Sequence, residues 1–208
     1  MPNLRARLLK TVRDAYPETF EGLGPSKVLG ENVFDGPKPH PNAVLNLLIQ
    51  QKVASALPMA YYMAARRGSD SLMDPRLPSS ATLSGKTLRS ATRGLMALRE
   101  MELKESYKIA FTIKDSAHSI GCGSQECLCW KARISDAAAI RACQQVFDRI
   151  IWSVVGGTRI LQVLSASEFT ENTGSKFCQV CVKKIQVAHA EMRRKAWTAL
   201  QEVFGLKA

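Results

Sequence analysis

Five of the six cysteines lie in two close-spaced clusters whose spacing suits metal binding. Cys122, Cys127 and Cys129 form the first cluster, and Cys178 and Cys181 form the second, about fifty residues later. A structural zinc ion takes four soft ligands in a tetrahedron, commonly as two short-spaced pairs from separate segments of the chain. The pattern therefore predicts one zinc ion held by Cys122, Cys127, Cys178 and Cys181.

The residues around each pair favour this arrangement. Gly121 and Gly123 flank Cys122 and give the backbone of the first pair the freedom to turn back on itself. The second pair is spaced by one helical turn at the start of a predicted helix, where unpaired backbone amides favour a thiolate. Three further side chains stand as reserve ligands: Cys129, His118 and His189.

Unligated cysteines are the alternative to a zinc site. Cys178 and Cys181 continue the apolar stripe of their predicted helix, as two buried structural cysteines would also do. Cys143 lies within another apolar stripe and is expected in the core. Cys122 and Cys127 lie in a polar, Gly-rich interval, so the zinc hypothesis depends mainly on that pair.

Catalytic arrangements of these residues are not indicated. His189 follows Cys178 on one predicted helix at a distance of about 16 Å, too far for a nucleophile and its base. A redox pair of Cys178 and Cys181 would normally belong to a βαβ frame, and no strand pattern is present. The sequence also lacks the common hydrolase, metalloprotease, phosphate-loop and dinucleotide motifs. We therefore expect no enzyme, and a thiol redox protein remains an alternative.

Composition and charge restrict the class of protein. The chain has 208 residues, of which 46% are hydrophobic, enough to bury a core. Its first residues lack the apolar segment of a secretory signal, and no apolar run approaches the roughly 18 residues of a membrane helix. We therefore expect an intracellular protein, cytoplasmic or nuclear, with reduced thiols and no membrane partner.

The net charge of +11 suits an acidic partner such as nucleic acid. However, the basic residues are spread over several predicted helices, which is typical of solvated helix faces. The three tryptophans also appear without interleaved basic residues, so we expect Trp130, Trp152 and Trp197 in or beside the core. Association with nucleic acid is therefore kept as an alternative function for this basic protein.

The elements that must position the cysteines are predicted to be helices. Residues 1–41 form an N-terminal helix, stopped by Pro17, and a Gly/Pro-rich connection. Residues 42–208 form the helical domain with both cysteine clusters, 122–129 and 178–181. Its first helix is predicted to be capped by Asn42, divided or kinked at Pro58 and ended by Gly68.

Two long helices are also predicted. One begins at Ser84 and runs for roughly thirty residues with an apolar face that includes Leu95 and Leu98, while Glu100, Glu102 and Glu105 pair with basic neighbours on its surface. The final helix runs from about Lys176 to Phe204, with a core face through Cys178, Cys181, Ile185, Ala188, Met192, Ala196, Ala199 and Val203. Because no segment alternates with period two, the predicted fold is all-α, an irregular helical bundle with a Cys-rich loop that zinc would staple.

Three stretches of the chain resemble a known group of proteins. They are HPNAVLNLLIQQKVASALPMAYYMAARRG (40–68), TLRSATRGLMALREMELKES (87–106), and FCQVC with HAEMRRKAWTALQEVFGL (177–181 and 189–206). These three sequences resemble the region downstream of the BTB/POZ domain in uncharacterised fungal proteins of basidiomycete type.

The resemblance implies a helical follow-on region without the BTB/POZ domain itself, so that domain's roles in dimerisation and cullin binding do not transfer to these residues. It also implies a paired cysteine cluster at Cys122, Cys127, Cys178 and Cys181. The function that we expect is a non-catalytic, adaptor-type module that binds a protein partner.

Overall fold

The computed structural model describes residues 10–11, 16–17, 19–21, 39–116, 160–161 and 179–206. Its helices in these ranges are α1 (Pro41–Gln50), α2 (Leu57–Ala65), α3 (Ser69–Leu72), α4 (Gly85–Ser116) and α5 (Gln179–Val203). Short 3₁₀ turns at Ala54–Ala56 and Ser79–Ala81 lie between them. The described part of the chain is mostly helical and contains no strand, so the all-α prediction is confirmed for these residues.

Helix α2 is the centre of the described core. Every residue from Met59 to Ala65 is buried, and the helix contacts α1, α3, α4 and α5. Its sequence, LPMAYYMAA, contains no charged residue, and a helix that is apolar on all sides is stable only when other elements surround it. The remaining helices therefore pack around α2.

The start of α1 differs from the sequence prediction. His40, not Asn42, is the N-cap, and its ring Nδ1 accepts a hydrogen bond from the Asn42 backbone N–H at 3.3 Å. Pro41 follows at the first helical position, where its missing N–H is no loss. Asn42 is instead completely buried, and neither polar atom of its side chain has a hydrogen-bond partner among the described residues. The assignment of Asn42 as a cap was therefore wrong.

The predicted division of the next helical segment is confirmed, but the break precedes the proline. Helix α1 ends at Gln50, and Lys52 adopts a left-handed backbone conformation with φ of 54°. Pro58 then lies in the first turn of α2, a position that suits its fixed φ. Beyond α2, the chain turns at Gly68, whose φ of 96° favours glycine, so the predicted end of this segment is also confirmed.

Helix α4 begins where the sequence predicts. The Ser84 hydroxyl oxygen accepts a hydrogen bond from the Thr87 backbone N–H at 3.2 Å, which is an N-cap interaction. Leu95 and Leu98 are buried, and Leu88 and Met101 pack against the core from its edge. This apolar face contacts both α2 and α5.

The end of α5 is anchored by an aromatic side chain. Phe204 is buried, and its ring stacks on Tyr61 of α2 with centroids 5.2 Å apart. The ring also lies against Gly94 of α4, so closely that a Cβ added at Gly94 would overlap it. The chain then turns at Gly205, which has a φ of 66°. Phe204 thus ties α5 to α2 and α4 at one point.

The N-terminal segment is described only at a few residues. Lys10 and Thr11 are helical, whereas Tyr16 and Pro17 are not, in agreement with a helix that ends before Pro17. The Tyr16 side chain is buried in the core. The remainder of the predicted Gly/Pro-rich connection, up to residue 38, lies outside the described residues. Across the described ranges, no helix combines the length and the hydrophobicity needed to cross a membrane.

Candidate functional site

Of the predicted zinc ligands, Cys181 is the one that the structure describes. It lies in the first turn of α5, is buried, and belongs to the hydrophobic core. Cys122, Cys127 and Cys178 lie outside the described residues, as do the reserve ligands Cys129 and His118. The burial of Cys181 in a helical core therefore suits both a zinc ligand and a structural thiol.

His189 lies on the same helix but cannot share a metal ion with Cys181. The two residues are about 12 Å apart along the helix axis, since each residue adds about 1.5 Å, and zinc ligands lie within about 2.3 Å of the metal. Burial, and secondarily Arg193, lower the pKa of His189 to about 4, so its ring is neutral at pH 7. Among the residues that the structure describes, no three metal-binding side chains come together.

A buried polar tie joins α2 and α5 through the backbone of Leu161. The Leu161 N–H donates a hydrogen bond to the Tyr62 hydroxyl at 3.4 Å. The Arg193 Nε donates to the Leu161 carbonyl oxygen at 3.0 Å. Tyr62, Leu161 and Arg193 are all buried, so both bonds are shielded from water. The sequence prediction treated Arg193 as a solvated charge, and the structure places it inside the fold.

An aromatic and basic cluster lies beside this tie on α5. The guanidinium carbons of Arg193 and Arg194 lie 5.4 and 5.5 Å from the centroid of the Phe20 ring. Trp197 meets the same ring edge-on at 6.3 Å. Trp197 is partly buried and packs against the hydrophobic core, so the prediction that it lies in or beside the core is confirmed. The cluster holds the N-terminal segment against the last helix.

The glutamates of α4 were all predicted to lie on the helix surface, but one of them is buried. Glu102 is buried, which the sequence pattern did not indicate. Glu105 forms ion pairs with Lys108 at 2.7 Å and with Lys195 of α5 at 3.1 Å. Hydrogen bonding by Lys108 is the largest influence on Glu105 and lowers its pKa. These contacts reinforce the packing of α4 on α5.

An open depression of about 780 Å³ lies between the start of α1 and the segment that follows α3. His40, Arg67, Asp70 and Asp74 contribute polar groups to it. Asp74 is held by Arg76, whose Nε and terminal nitrogen each donate to a carboxylate oxygen at 2.9 Å. Those hydrogen bonds lower the pKa of Asp74 to about 2. Because His40 caps α1 and Asp74 binds Arg76, both groups have local structural roles.

One side of α4 points away from the bundle and is exposed for several turns. We call this side the outward face of α4; it consists of Lys86, Arg89, Arg93, Met96, Glu100 and Lys104. Met96 is 63% exposed, more than any other large hydrophobic residue of the described ranges. Lys86, Arg89 and Arg93 have no ion-pair partner in the described part of the chain.

The charge distribution along α4 is uneven. From Gly85 to Arg99 the helix has four basic residues and no acidic one, and its first turn contains no acid. Cations near the start of a helix are disfavoured by the helix dipole. Lys86, Arg89 and Arg93 therefore have no stabilising ion pair within the described part of the chain.

Comparison with known proteins adds no relative. The chain matches no protein-family model, no curated protein and no solved structure.

Proposed function

We propose that this protein is a non-catalytic, adaptor-type helical module that binds a protein partner through the outward face of α4. The observation that supports the proposal is the exposed Met96 at the centre of that face, directly after three unpaired basic residues. Methionine and arginine are enriched at protein interfaces, because a flexible thioether adapts to its partner and a guanidinium binds in several ways.

The opposite side of α4 makes this face rigid. Leu95 and Leu98 are buried against the neighbouring helices, and Glu105 is paired with Lys195 of α5. A face on a helix that is fixed along one side loses little conformational freedom when it binds. Such a helix suits an adaptor, which must present the same surface to its partner each time.

A structural zinc ion is the second part of the proposal. Cys122, Cys127, Cys178 and Cys181 would hold it and join the 118–130 interval to the start of α5. The position of Cys181 supports this assignment, since it is buried in the first helical turn. Zinc bound by four thiolates contributes directly to folding and leaves no open position for catalysis.

The resemblance to the region downstream of the BTB/POZ domain in fungal proteins agrees with an adaptor role. The three similar stretches include Tyr61, Gly94 and Phe204, which pack against one another where α2, α4 and α5 meet. We therefore propose that the chain shares the helical framework of that group.

The proposal is tested by affinity capture from a native cell extract with three baits: the unmodified chain, Met96→Asp and Met73→Asp. Met73 is the control, because it is 55% exposed but lies on another segment. Each captured protein is then produced separately and its direct binding to the three baits is measured.

We expect a partner that binds the unmodified chain and Met73→Asp equally and binds Met96→Asp at least about tenfold more weakly, the loss expected when a central contact is removed. Equal binding to all three baits would place the interface elsewhere. Absence of any directly binding partner would contradict the adaptor function.

A further inference from the structure

We infer that the outward face of α4 binds an acidic protein segment that places carboxylates opposite Lys86, Arg89 and Arg93 and an apolar side chain against Met96. This inference rests on the proposed function and names the chemistry of the partner. It follows from the order of charged and apolar side chains along one helix face.

The basic half of the face is suited to carboxylates at helical spacing. Lys86, Arg89 and Arg93 are exposed and follow one another at three- and four-residue intervals, so they extend over about 10 Å of helix axis. Acidic side chains spaced three or four residues apart on a partner helix repeat over the same distance. Arginine can also bind a carboxylate through two parallel hydrogen bonds.

The turns of α4 that follow Arg93 favour a protein over a nucleic acid as the partner. Met96 follows Arg93 by one turn and offers an apolar contact that a phosphate backbone does not use. Glu100 lies one turn further on and is also exposed, so a phosphate chain that continued along the face would meet a like charge. A protein segment can change from acidic to apolar to basic residues along the same path. The sequence of groups therefore favours a protein partner.

The face is also available, because nothing in the described structure covers it. Its basic side chains have no ion-pair partner in the described ranges, and α4 turns its other side to α2 and α5. A partner would gain these cations without breaking an existing salt bridge. Because exposed ion pairs are individually weak, the apolar contact at Met96 is needed for useful affinity.

The test uses a labelled synthetic helical peptide with glutamates at three- and four-residue spacing and one leucine a turn beyond them. A polyuridylate 20-mer serves as the nucleic-acid probe, and binding of both is measured by fluorescence anisotropy at low and moderate salt. The variant is Arg89→Glu with Arg93→Glu. The matched control is Lys10→Glu with Lys52→Glu, which changes the net charge equally at exposed positions outside α4.

We expect the peptide to bind the unmodified chain and the control pair alike, and the α4 pair at least about tenfold more weakly. A peptide with serine in place of the leucine should bind the unmodified chain more weakly but lose no further affinity in Met96→Ser. Arg89→Gln with Arg93→Gln repeats the test without new carboxylates, and circular dichroism confirms that each variant is folded.

Three results would overturn the inference. Tighter binding of polyuridylate, with the same loss in the α4 pair, would assign the face to nucleic acid. An equal loss of peptide affinity in the α4 variant and in the control variant would show that the peptide is attracted by net charge and not by a site on α4. Absence of peptide binding, while Met96→Asp still abolishes capture of the native partner, would reject the acidic segment and leave the proposed function standing.

Discussion

The ring of Phe204 lies directly against the backbone of Gly94, so the end of α5 meets α4 at a position that only glycine fits. Tyr61 of α2 stacks on the same ring, with the two centroids 5.2 Å apart. Three helices therefore meet around one side chain. This contact fixes how far along α4 the last helix can pack.

We expect Gly94→Ala to destabilise the fold by about 1–3 kcal/mol, because the added methyl overlaps the Phe204 ring and overpacking of a core has costs in this range. The control is Gly85→Ala, where an added Cβ would have its nearest neighbour, an Arg89 nitrogen, at an ordinary 3.8 Å. That substitution should leave stability unchanged or raise it, since alanine favours a helix over glycine. Urea unfolding of both variants measures the difference, and equal effects would contradict the contact.

The two neighbouring arginines of α5 should behave differently. Arg193 is buried and donates to the Leu161 carbonyl, whereas Arg194 is exposed and its guanidinium contacts the Phe20 ring. Arg193→Leu should therefore lower the free energy of unfolding by about 1.5–3 kcal/mol, the range for a hydrogen bond to a charged group. Arg194→Leu should change it by less than about 1 kcal/mol, because exposed cation–π contacts are weak.

Hydrogen exchange gives an independent test of the same tie. Tyr62→Phe removes the acceptor of the Leu161 N–H. The Leu161 amide should then exchange faster than in the unmodified chain, while amides in the first turns of α4 keep their rates. Unchanged exchange at Leu161 would show that the Tyr62 hydroxyl does not protect it.

The pH dependence of stability should show the burial of His189. Its pKa is about 4 in the folded protein against 6.5 for an exposed histidine, so the unfolded chain binds the proton more tightly. The stabilisation is fully present above pH 6.5 and declines as the pH falls towards 4. The difference corresponds to about 3 kcal/mol. His189→Leu removes this contribution, so its stability should fall less between pH 7 and 4 than that of the unmodified chain. Parallel curves would contradict the burial.

The features of the fold that could be predicted from the sequence are those set by neighbouring residues in the chain. The start of α4 at Ser84 was predictable, because a capping residue precedes a long apolar periodicity. The break before α2 was placed at Pro58 because proline is the obvious helix breaker. The chain instead breaks near Lys52, whose left-handed conformation has no local sequence signal, and Pro58 fits the helix start.

The buried polar residues were beyond sequence reasoning for a different reason. Arg193 and His189 look like solvated positions of an amphipathic helix, and the partners that accommodate Arg193 come from distant parts of the chain, Phe20 and Leu161. Gly94 likewise looks like a weak point in α4 until Phe204 is seen against it. Of the predicted zinc ligands, Cys181 shows why patterns alone leave a choice, since burial in a helical core suits both a ligand and a structural thiol.

The zinc hypothesis predicts about one zinc ion for each chain in native mass spectrometry of the unmodified protein. Cys127→Ser should lose the ion, and Cys129→Ser, which removes a reserve thiol, should keep it. A chelator should lower the melting temperature of the unmodified chain, because the binding energy of a structural metal is folding energy. Native protein without zinc would exclude the site.

Oxidative footprinting of methionines tests whether a partner covers the outward face of α4. Met96 and Met73 are both well exposed, so both should oxidise readily in the isolated protein. In the complex with the partner that affinity capture identifies, we predict that Met96 is protected several-fold while Met73 oxidises at its original rate. Oxidation of Met96 at an unchanged rate in the complex would show that the partner does not bind the outward face of α4.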